Sequence, residues 1–509
     1  MGAQQQETKP VMAERFDVVI GGSGMGGLTA GALLAARGYR VVILEREPVV
    51  GGYISEFRRG PYVFDSAASF VGAVTDGGEV GNVLEEVGLA GRAQFVNVTR
   101  KFRLILPDRE VNTREHSYPD AAIAAFPEYR RPFERLRRLV DAVSREINRF
   151  EKLPGWLRPF VPLLCPRLFR YARATVGDVL DRELLCPALR ALAANLPSTA
   201  PPSEIAFLFG AVVHAKGERG GLHYPVGGIG GFARLLAQSA ETNGAQLRTR
   251  EALAAIEHDG RRVRAVRTTS GDRIETRAVG VNFNPADALA LLEGPAIRGL
   301  AKAQRRTEQF RYSASAFIVY LGLDDKRSWS DEFFFTTIFE TDDLEGVYRT
   351  IARGQMPDES VLHVTFPSAS GAPHDDARSP TAKIIAPAPY DLFDKGTSPE
   401  SERNYERRKA ETAERLIERA SRHIPALRAG IVVREVATPH TLEQRTGNRR
   451  GAMYGLEPTP DQFGPWRWPN RALLRGLYFC GHYSRPSPGI AGTCYSGRFA
   501  AECVTRDLR

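Results

Sequence analysis

Apolar residues near the start of the chain form two short runs that flank a segment of small residues. The runs Val18-Val19-Ile20 and Val41-Val42-Ile43-Leu44 contain no polar interruption, which is typical of strands covered on both faces. Leu28 to Arg37 between them is rich in alanine, glycine and leucine and predicts a closely packed helix. We therefore expect the chain to begin with a strand, a helix and a second strand of one sheet.

The remaining pattern alternates between strands and helices. Phe95 to Val111 alternates around Pro107-Asp108, which predicts a hairpin. Ala121 to Ala193 has a helical period and is rich in arginine. Glu400 to Arg422 predicts a strongly charged helix whose thin apolar stripe leaves most of its surface in solvent. Further strands are predicted at 246–249, 252–258, 263–268, 278–282, 313–321 and 360–367.

Glycines follow the first strand with the spacing G-x-G-x-x-G at Gly22, Gly24 and Gly27. In a strand–turn–helix unit this spacing permits a tight turn, close approach of the backbone to a pyrophosphate, and close packing of the helix. Glu45 ends the second strand, where a carboxylate accepts hydrogen bonds from a ribose and disfavours NADP. A plain structural turn is the alternative, but the strands, the helix and the acid together predict a dinucleotide site.

A second glycine-rich stretch, Gly228 to Ala233, formally matches G-x-G-x-x-A. Tyr224-Pro225 precedes it instead of an apolar strand, so we do not interpret it as a second nucleotide site. No separate NAD(P) domain is predicted elsewhere. Electrons from a bound cofactor are therefore expected to pass to a diffusible acceptor, or to none.

The C-terminus combines a strand, a loop and a glycine-led helix. Gly476 to Gly481 predicts the strand, and Pro488 to Thr493 opens the last helix. The N–H groups and the positive dipole end of such a helix would favour the negatively charged edge of a reduced flavin. An ordinary terminal helix is the alternative.

Composition narrows the class of protein. With 509 residues the chain is long enough for two domains, and 43% hydrophobic with 25% charged residues excludes a disordered or fibrous protein. A net charge of +9 suits a nucleic acid or an anionic membrane, but no nucleic-acid motif is present. The five cysteines show neither CxxC nor metal-ligand spacing, which predicts free thiols in a reducing compartment and no metal site.

The sequence predicts neither a signal peptide nor a spanning helix. Met1 to Glu14 is polar and lacks the apolar core of a signal peptide. No run approaches the ~18 apolar residues that a spanning helix needs. We therefore expect a cytoplasmic protein that is either soluble or peripheral on the cytoplasmic face of the membrane.

One segment has the composition of a membrane-surface element. Leu153 to Arg170 is apolar and aromatic, is broken by prolines, and is punctuated by arginines. Such a composition is typical of segments in a lipid headgroup layer and predicts peripheral membrane contact. The alternative is a buried helical cap over a substrate cavity, and the prolines argue against one long amphipathic helix.

By these motifs the chain resembles the phytoene desaturase family, with its carotenoid isomerase and retinol saturase relatives, in a superfamily that includes the amine oxidases. The resemblance covers most of the chain. It is carried by Val18 to Gly27, Gly51-Gly52, Phe64-Asp65, Tyr224 to Gly228, Ser315 to Leu321, Thr438 to Asn448, Gly451 to Gly455 and Gly476 to Gly497.

The resemblance implies an α/β fold with a Rossmann-type, amine-oxidase-like FAD-binding domain and a discontinuous α+β substrate domain. The FAD-binding domain would comprise residues 14–115, 215–285 and 430–509. The substrate-binding and membrane-contact domain would comprise 116–214 and 286–429. FAD would be the cofactor, bound by Gly22, Gly24, Gly27, Glu45, Gly51, Gly52, Leu253, Gly481, Gly489 and Ile490.

The implied activity is that of an FAD-dependent oxidoreductase acting on C–C or C=C bonds of a long lipophilic polyene. A carotenoid or phytoene desaturase would pass electrons to a quinone or to oxygen. A cis–trans carotenoid isomerase and a polyene or retinol saturase are alternatives, as is a non-catalytic lipid carrier like the Rab GDP-dissociation inhibitors. The intact glycine motif and Glu45 weigh against the carrier.

Departures from the family pattern favour the isomerase or saturase branch. Tyr53 stands where many desaturases carry a basic residue, Ser66 to Phe70 replaces a glycine-led segment, and Pro488-Gly489-Ile490 has fewer glycines than usual. For catalysis, Glu443 and Arg445 are candidates to move a proton or stabilise a cation, although a structural salt bridge explains them equally well. The flavin would remain the main catalytic group.

Overall fold

The computed structural model describes residues 14–75, 77–183, 190, 200–373 and 378–509. The N-terminal segment to Ala13, Cys186 and the predicted end of the arginine-rich helical region at Ala193 lie outside these ranges. The strands are β1 Glu14–Gly21, β2 Val41–Glu45, β3 Glu56–Arg59, β4 Tyr62–Asp65, β5 Val71–Gly72, β6 Phe95–Asn97, β7 Phe102–Ile105, β8 Glu110–Asn112, β9 Leu222–Pro225, β10 Gln246–Thr249, β11 Leu253–His258, β12 Val263–Thr268, β13 Arg273–Val281, β14 Leu292–Glu293, β15 Ser315–Leu323, β16 Phe335–Phe339, β17 Val361–Thr365, β18 Thr381–Ala388, β19 Ile431–Ala437 and β20 Leu477–Phe479.

The helices lie between and around these strands. They are α1 Met25–Ala36, α2 Glu79–Glu86, α3 Tyr118–Ala125, α4 Arg130–Lys152, α5 Val161–Leu164, α6 Pro166–Arg170, α7 Val176–Glu183, α8 Phe207–Gly220, α9 Gly228–Thr242, α10 Pro285–Ala290, α11 Leu300–Glu308, α12 Leu344–Ala352, α13 Pro399–His423, α14 Ala426–Ala429, α15 Pro439–Thr446 and α16 Ile490–Leu508. In the described part of the chain, none of these helices combines the length and the apolar content that crossing a bilayer requires.

The first sheet contains the predicted strand–helix–strand unit. Its order is β10-β2-β1-β13-β12-β11-β14, and β20 also pairs with β13. β1 pairs in parallel with β2 and β13, and β13 pairs in parallel with β20. The uninterrupted apolar runs are explained by this placement, since β1 and β2 are central and buried on both faces.

Helix α1 is buried because its small residues let other helices approach closely. It packs against β1, β2, α9 and α16, and every residue from Met25 to Ala35 is buried. A Cβ atom on Gly497 of α16 would lie 2.4 Å from the carbonyl oxygen of Gly26. A side chain at that crossing would force the two helices apart, which fixes the last helix against the glycine turn.

The second sheet has the order β19-β15-β18-β17-β16-β7-β8. The predicted hairpin around Pro107-Asp108 is confirmed as β7 and β8, which pair in antiparallel fashion. β7 also pairs in parallel with β16, and β19 pairs with β15. One face of this sheet lines a cavity that residues of the first sheet also line.

The predicted domain boundaries stay a prediction, but strands close to two of them pair with strands on the other side of the boundary. The boundaries at 115 and 430 assigned β7, β8 and β19 to the FAD-binding domain, whereas all three strands are hydrogen-bonded into the second sheet. Periodicity identifies a strand without indicating the sheet that it joins. The partner is set by long-range pairing, here with β16 and β15.

Candidate active site

A single cavity of about 1140 Å³ extends between the two sheets. At one end it is lined by the glycine turn after β1 and by Glu45. At the other end it reaches Leu104 of β7, Phe209 of α8 and Arg137 of α4. A cavity of this extent has room for a dinucleotide and for a second, elongated molecule beside it.

The glycine turn is closed to any larger residue. A Cβ on Gly24 would lie 2.6 Å from the Asn282 side-chain nitrogen, and one on Gly27 would lie 2.0 Å from the carbonyl oxygen of Gly22. Gly22 itself has φ +95, which favours glycine. The turn therefore places bare backbone N–H groups beside the cavity, as a pyrophosphate requires.

The carboxylate of Glu45 is held in a fixed orientation at the end of β2. Its carboxylate oxygen Oε2 accepts hydrogen bonds from Ser23, 2.8 Å from the backbone nitrogen and 2.6 Å from the hydroxyl, and Oε1 accepts one from the backbone N–H of Glu47 at 2.9 Å. The side chain lines the cavity, and these bonds fix the orientation in which it would accept a ribose hydroxyl.

The remaining predicted cofactor residues lie around the same end of the cavity. Gly51 donates a 3.0 Å backbone bond to the carbonyl of Ser23 and has φ +111, so it follows the glycine turn closely. Gly52 and Leu253 line the cavity beside it. The structure thus brings together predicted residues that lie about 200 positions apart in the sequence.

The C-terminal segment completes this end. Gly481, Gly489 and Ile490 line the cavity together with the first turn of α16. Gly489 precedes the helix with φ +82, and the N–H groups of that first turn have no partner within their own helix. Their positive end would suit the electron-rich edge of a flavin.

His482 and Tyr483 are anchored by a residue from the Thr438-to-Asn448 motif. The Asn448 side-chain oxygen lies 3.0 Å from His482 Nε2 and accepts a 3.1 Å hydrogen bond from the Tyr483 hydroxyl. Burial lowers the pKa of His482 to about 3, so the ring is neutral at physiological pH. The motif therefore joins the second sheet to the cofactor end of the cavity.

Arg467 is a buried arginine that sequence reasoning missed. Its guanidinium donates to the carbonyl oxygens of His482, Gln462, Tyr454 and Leu456, at 3.0, 3.2, 3.1 and 3.2 Å. Burial lowers its pKa to about 9. By binding four carbonyls it ties the loop before β20 to the segment that follows it, which supports the Gly481–His482 wall of the cavity.

The Phe64-Asp65 and Tyr224-to-Gly228 motifs contact each other through buried hydrogen bonds. The Asp65 carboxylate accepts hydrogen bonds from the Tyr224 hydroxyl at 2.7 Å and from the Ile229 backbone N–H at 2.9 Å. Burial raises the pKa of Asp65, and the Lys383 ammonium opposes that rise. The Asp65 carboxylate therefore joins the two motifs and caps the first turn of α9.

Lys383 fixes the segment that replaces the glycine-led stretch of many desaturases. Its ammonium group donates to the carbonyls of Ala67 and Ala68, both at 2.8 Å, and burial lowers its pKa to about 8. The Tyr320 hydroxyl donates to the carbonyl of Ser66. Ser66 to Phe70 is thus a rigid wall of the cavity.

The substrate end of the cavity has an aromatic and aliphatic surface. Phe57 packs edge-on against Tyr320 with ring centroids 4.9 Å apart, and Phe335 packs against Phe70 and Phe102 at 5.3 and 5.2 Å. The second sheet supplies most of this surface from one face. Phe335 and Thr337 of β16 line the cavity on this face.

Glu443 and Arg445 are close in sequence but point to different partners. Glu443 accepts hydrogen bonds from the Tyr390 hydroxyl and from the Arg450 backbone N–H, the latter at 2.9 Å, and it is not among the cavity-lining residues. Arg445 lines the cavity and forms a 3.1 Å ion pair with Glu47, two residues after Glu45. A catalytic role for these two residues stays a prediction.

Cys480 shows no sign of a reactive thiol. It is buried in the strand segment after β20, and its sulfur lies 3.5 Å from the Val281 carbonyl oxygen. Burial raises the pKa of this thiol to about 12, which keeps it protonated. Packing explains its position.

Comparison with known proteins identifies the family and the fold. The model of the family described as "Flavin containing amine oxidoreductase" matches residues 25–505. Prolycopene isomerase 1 of an Oncidium hybrid cultivar is 25% identical over 533 residues, covering 100% of this chain and 86% of that protein. Phytoene dehydrogenase of Streptomyces griseus is 27% identical over 517 residues, covering 96% and 95%. The solved structure of cyclohexylamine oxidase from Brevibacterium oxydans shares the fold with a TM-score of 0.62 at 16% identity, covering 97% and 99%.

The resemblance and the fold class predicted from sequence are confirmed by these matches. The glycine cradle, the oriented Glu45 and the N-terminus of α16 fit an FAD molecule along the first sheet. A family whose members contain flavin also favours the enzyme over the carrier hypothesis. The chain belongs to the flavin-containing amine oxidoreductase family and is an FAD-dependent oxidoreductase.

Proposed function

We propose that this oxidoreductase acts on C–C or C=C bonds of a long lipophilic polyene of the carotenoid type. The observation that carries the proposal is the continuity of the cavity, which joins the cofactor cradle to a long apolar surface on the second sheet. The similar proteins named prolycopene isomerase and phytoene dehydrogenase support it. Of the ten cofactor residues predicted from sequence, all except Gly27 line this cavity.

The chain's own residues would bind and orient the polyene. Bound FAD supplies a hydride acceptor or donor for a bond that has no polar group of its own. The apolar sheet face excludes water, and the rigid Ser66-to-Phe70 wall limits where the chain of the polyene lies. The N–H groups at the start of α16 would stabilise negative charge at the cofactor's edge.

The product mass distinguishes the three reactions. Purified FAD-loaded protein is given phytoene in liposomes, once with a quinone and once anaerobically with reduced flavin. A desaturase yields a product lighter by two hydrogens per step and needs the acceptor, a saturase yields one heavier by two, and an isomerase yields an unchanged mass with a new geometric isomer. If neither phytoene nor any related polyene tested in this way gives a product, the proposed function is refuted.

For a desaturase, a quinone or oxygen is the proposed electron acceptor. The sequence shows no separate NAD(P)-binding unit, and the stretch at 228–233 serves as the start of α9. A quinone dissolved in the bilayer would be available from the same phase as the substrate. Replacing the quinone by oxygen in the product assay tests which of the two supports turnover.

We also propose that the protein binds the membrane surface through the segment 153–170. Trp156, Phe160, Leu163 and Phe169 expose 73, 53, 79 and 59% of their surfaces, which supports contact with a lipid surface. It folds as a short 3-10 helix, α5 and α6, in keeping with its prolines. Exposed arginines on α4 (Arg130, Arg131, Arg135, Arg137 and Arg138) add positive charge for anionic headgroups.

The membrane segment is connected to the cavity through α4. Glu146 of α4 accepts a 2.8 Å bond from the Leu168 backbone N–H and pairs with Arg167 at 3.2 Å. Arg137, nine residues earlier on the same helix, lines the cavity. At 1.5 Å per residue the two positions are about 14 Å apart, so a lipophilic substrate would have a short path from the bilayer.

Flotation with liposomes tests the membrane proposal. Intact protein should float with anionic vesicles, and a variant with Trp156, Phe160, Leu163 and Phe169 changed to serine should bind at least ~10-fold more weakly. The matched control changes Val432 and Leu473, which are 60 and 41% exposed elsewhere, to serine. Failure of intact protein to float, or equal binding of the two variants, would refute it.

The free state of Cys165, Cys480, Cys494 and Cys503 accords with a reducing compartment. We therefore propose the cytoplasmic face of the membrane as the site of contact.

A further inference from the structure

Two polar side chains interrupt the apolar floor of the cavity, which is the face that the second sheet presents to it. In the second sheet, Leu104, Thr337, His363 and Ile385 lie directly opposite one another on four adjacent strands, so their side chains form one row on one face. All four line the cavity. Leu104 and Ile385 are aliphatic, whereas Thr337 and His363 in the middle of the row are polar.

The pair is built as a fixed unit. The Thr337 hydroxyl lies 3.2 Å from His363 Nδ1, and the imidazole stacks on Phe335 with ring centroids 5.5 Å apart. Thr337 is 1% exposed, whereas His363 keeps accessible surface on the cavity side. The threonine therefore sets the orientation of the ring, and the ring is the group that a ligand would meet.

The imidazole is uncharged in this position. Burial lowers its pKa to about 4, far below physiological pH. A neutral imidazole carries one N–H donor and one acceptor nitrogen, whichever tautomer is present. It therefore suits a hydroxyl or a carbonyl oxygen and does not suit a carboxylate, which would favour a cation.

We propose that the Thr337–His363 pair recognises an oxygen-bearing group, a hydroxyl or a carbonyl, on an otherwise apolar polyene. In binding cavities with apolar walls, a few placed polar groups fix the orientation of the ligand and supply specificity. The inference rests on the proposed polyene function and narrows its substrate class from hydrocarbons to oxygenated polyenes. Thr337 is a positioning residue, and His363 determines specificity.

The position of the pair also sets where the oxygen lies. His363 is on β17, two strands away from Tyr320 on β15, with β18 between them. At the usual strand separation this is about 10 Å. The oxygen would thus bind about two strands away from Tyr320, next to the Phe335 ring that packs on Phe70.

Binding of matched polyene pairs tests the inference. The probes are retinol and a monohydroxylated phytoene, each compared with the hydrocarbon of the same skeleton, and the readout is the change in the visible flavin absorbance of FAD-loaded protein. Wild type should bind at least one alcohol ~10-fold more tightly than its hydrocarbon. H363F and T337V should remove that preference, while H363Q, which keeps a donor and an acceptor, should retain part of it.

Thr336 provides the matched control. It precedes Thr337, is 2% exposed, and lies on the opposite face of the same strand, so T336V makes the same chemical change away from the cavity. T336V should leave the preference intact. Equal binding of alcohol and hydrocarbon by wild type, or a preference that survives in H363F, would overturn the inference while the polyene function stands. If neither class of polyene changes the flavin spectrum, both the inference and the proposed function fail.

Discussion

At the scale of single residues, the cofactor end of the site is organised by oriented hydrogen-bonding groups. Glu45 shows this most clearly, because Ser23 and the backbone of Glu47 hold its carboxylate in one orientation before any ligand arrives. Preorientation of this kind lowers the entropy that binding must remove. We therefore expect the affinity for FAD to depend strongly on Glu45.

Replacing Glu45 should weaken FAD binding. E45A removes a charged acceptor of hydrogen bonds, each of which contributes about 1.5–3 kcal/mol, so the dissociation constant should rise about tenfold to a hundredfold. Titration of apoprotein with FAD, followed by flavin fluorescence, measures this dissociation constant. E241A, on the exposed end of α9, serves as the control. Unchanged FAD affinity in E45A would show that this carboxylate does not bind the ribose.

The stability of the protein should depend on His363 in acid. Its pKa is about 4 in the fold and about 6.5 in an unfolded chain. Between those values the unfolded state binds more protons, so the free energy of unfolding falls as pH falls from 6.5 to 4. The loss attributable to this group is at most about 3 kcal/mol.

Urea unfolding of wild type and H363F at several pH values measures that contribution. The difference between the two proteins should be constant above pH 6.5 and should shift in favour of H363F as the pH falls to 4. Histidines shared by both proteins, such as His482, cancel in the comparison. Parallel curves for the two proteins would mean that His363 is not held neutral by the fold.

Several site residues were accessible to sequence reasoning because they stand in local motifs. Gly22, Gly24 and Glu45 follow from the spacing of one local motif, whereas Gly481 was predicted from the family resemblance. Thr337 and His363 could not be found in this way, since each is a polar residue within a mostly apolar, buried strand. Only the register of β16 with β17 places them side by side. Arg467 was missed for a related reason, as its carbonyl partners come from separate loops.

At the scale of elements, helix α13 shows what a charge pattern in the sequence can and cannot predict. The sequence predicted a charged helix at 400–422, and the structure has one at Pro399–His423 with a capping box at Ser398. Its stripe buries Tyr405, Leu416 and Ile417. It also buries Arg419, whose guanidinium is 3% exposed and pairs with Glu340 after β16. Periodicity could not identify that arginine, because it resembles the solvated ones.

Breaking this buried ion pair should destabilise the packing of α13 on the second sheet. R419M leaves Glu340 buried without its partner and should reduce the free energy of unfolding by about 3–5 kcal/mol. The double variant R419M/E340M should recover much of that loss, because no unpaired charge remains. Chemical denaturation followed by circular dichroism measures both.

The control lies on the same helix. Arg422 pairs with Glu418, but their side chains are 63 and 59% exposed, so R422M should change stability by less than about 1 kcal/mol. A loss in R422M as large as that in R419M would indicate that helix propensity, and not the buried pair, sets the stability.

At the scale of the whole molecule, the two sheets face each other across one cavity. The first sheet supplies the cofactor cradle and the second supplies the apolar floor, while α16 and the Asn448 motif hold the two ends together. The class of fold was predictable because its strand–helix–strand unit is local. The division into sheets was not, because β7, β8 and β19 join their sheet through pairings that sequence pattern does not reveal.

The central claim is that cofactor and polyene share this cavity, and an anaerobic titration tests it most directly. FAD-loaded protein is mixed with increasing phytoene or retinol in liposomes while the visible absorbance band of the flavin is recorded. The account predicts a saturable shift or bleaching of that band, since a polyene on the floor of the second sheet lies against the cofactor's environment. A band that stays unchanged at every polyene concentration, with FAD still bound, would contradict the account.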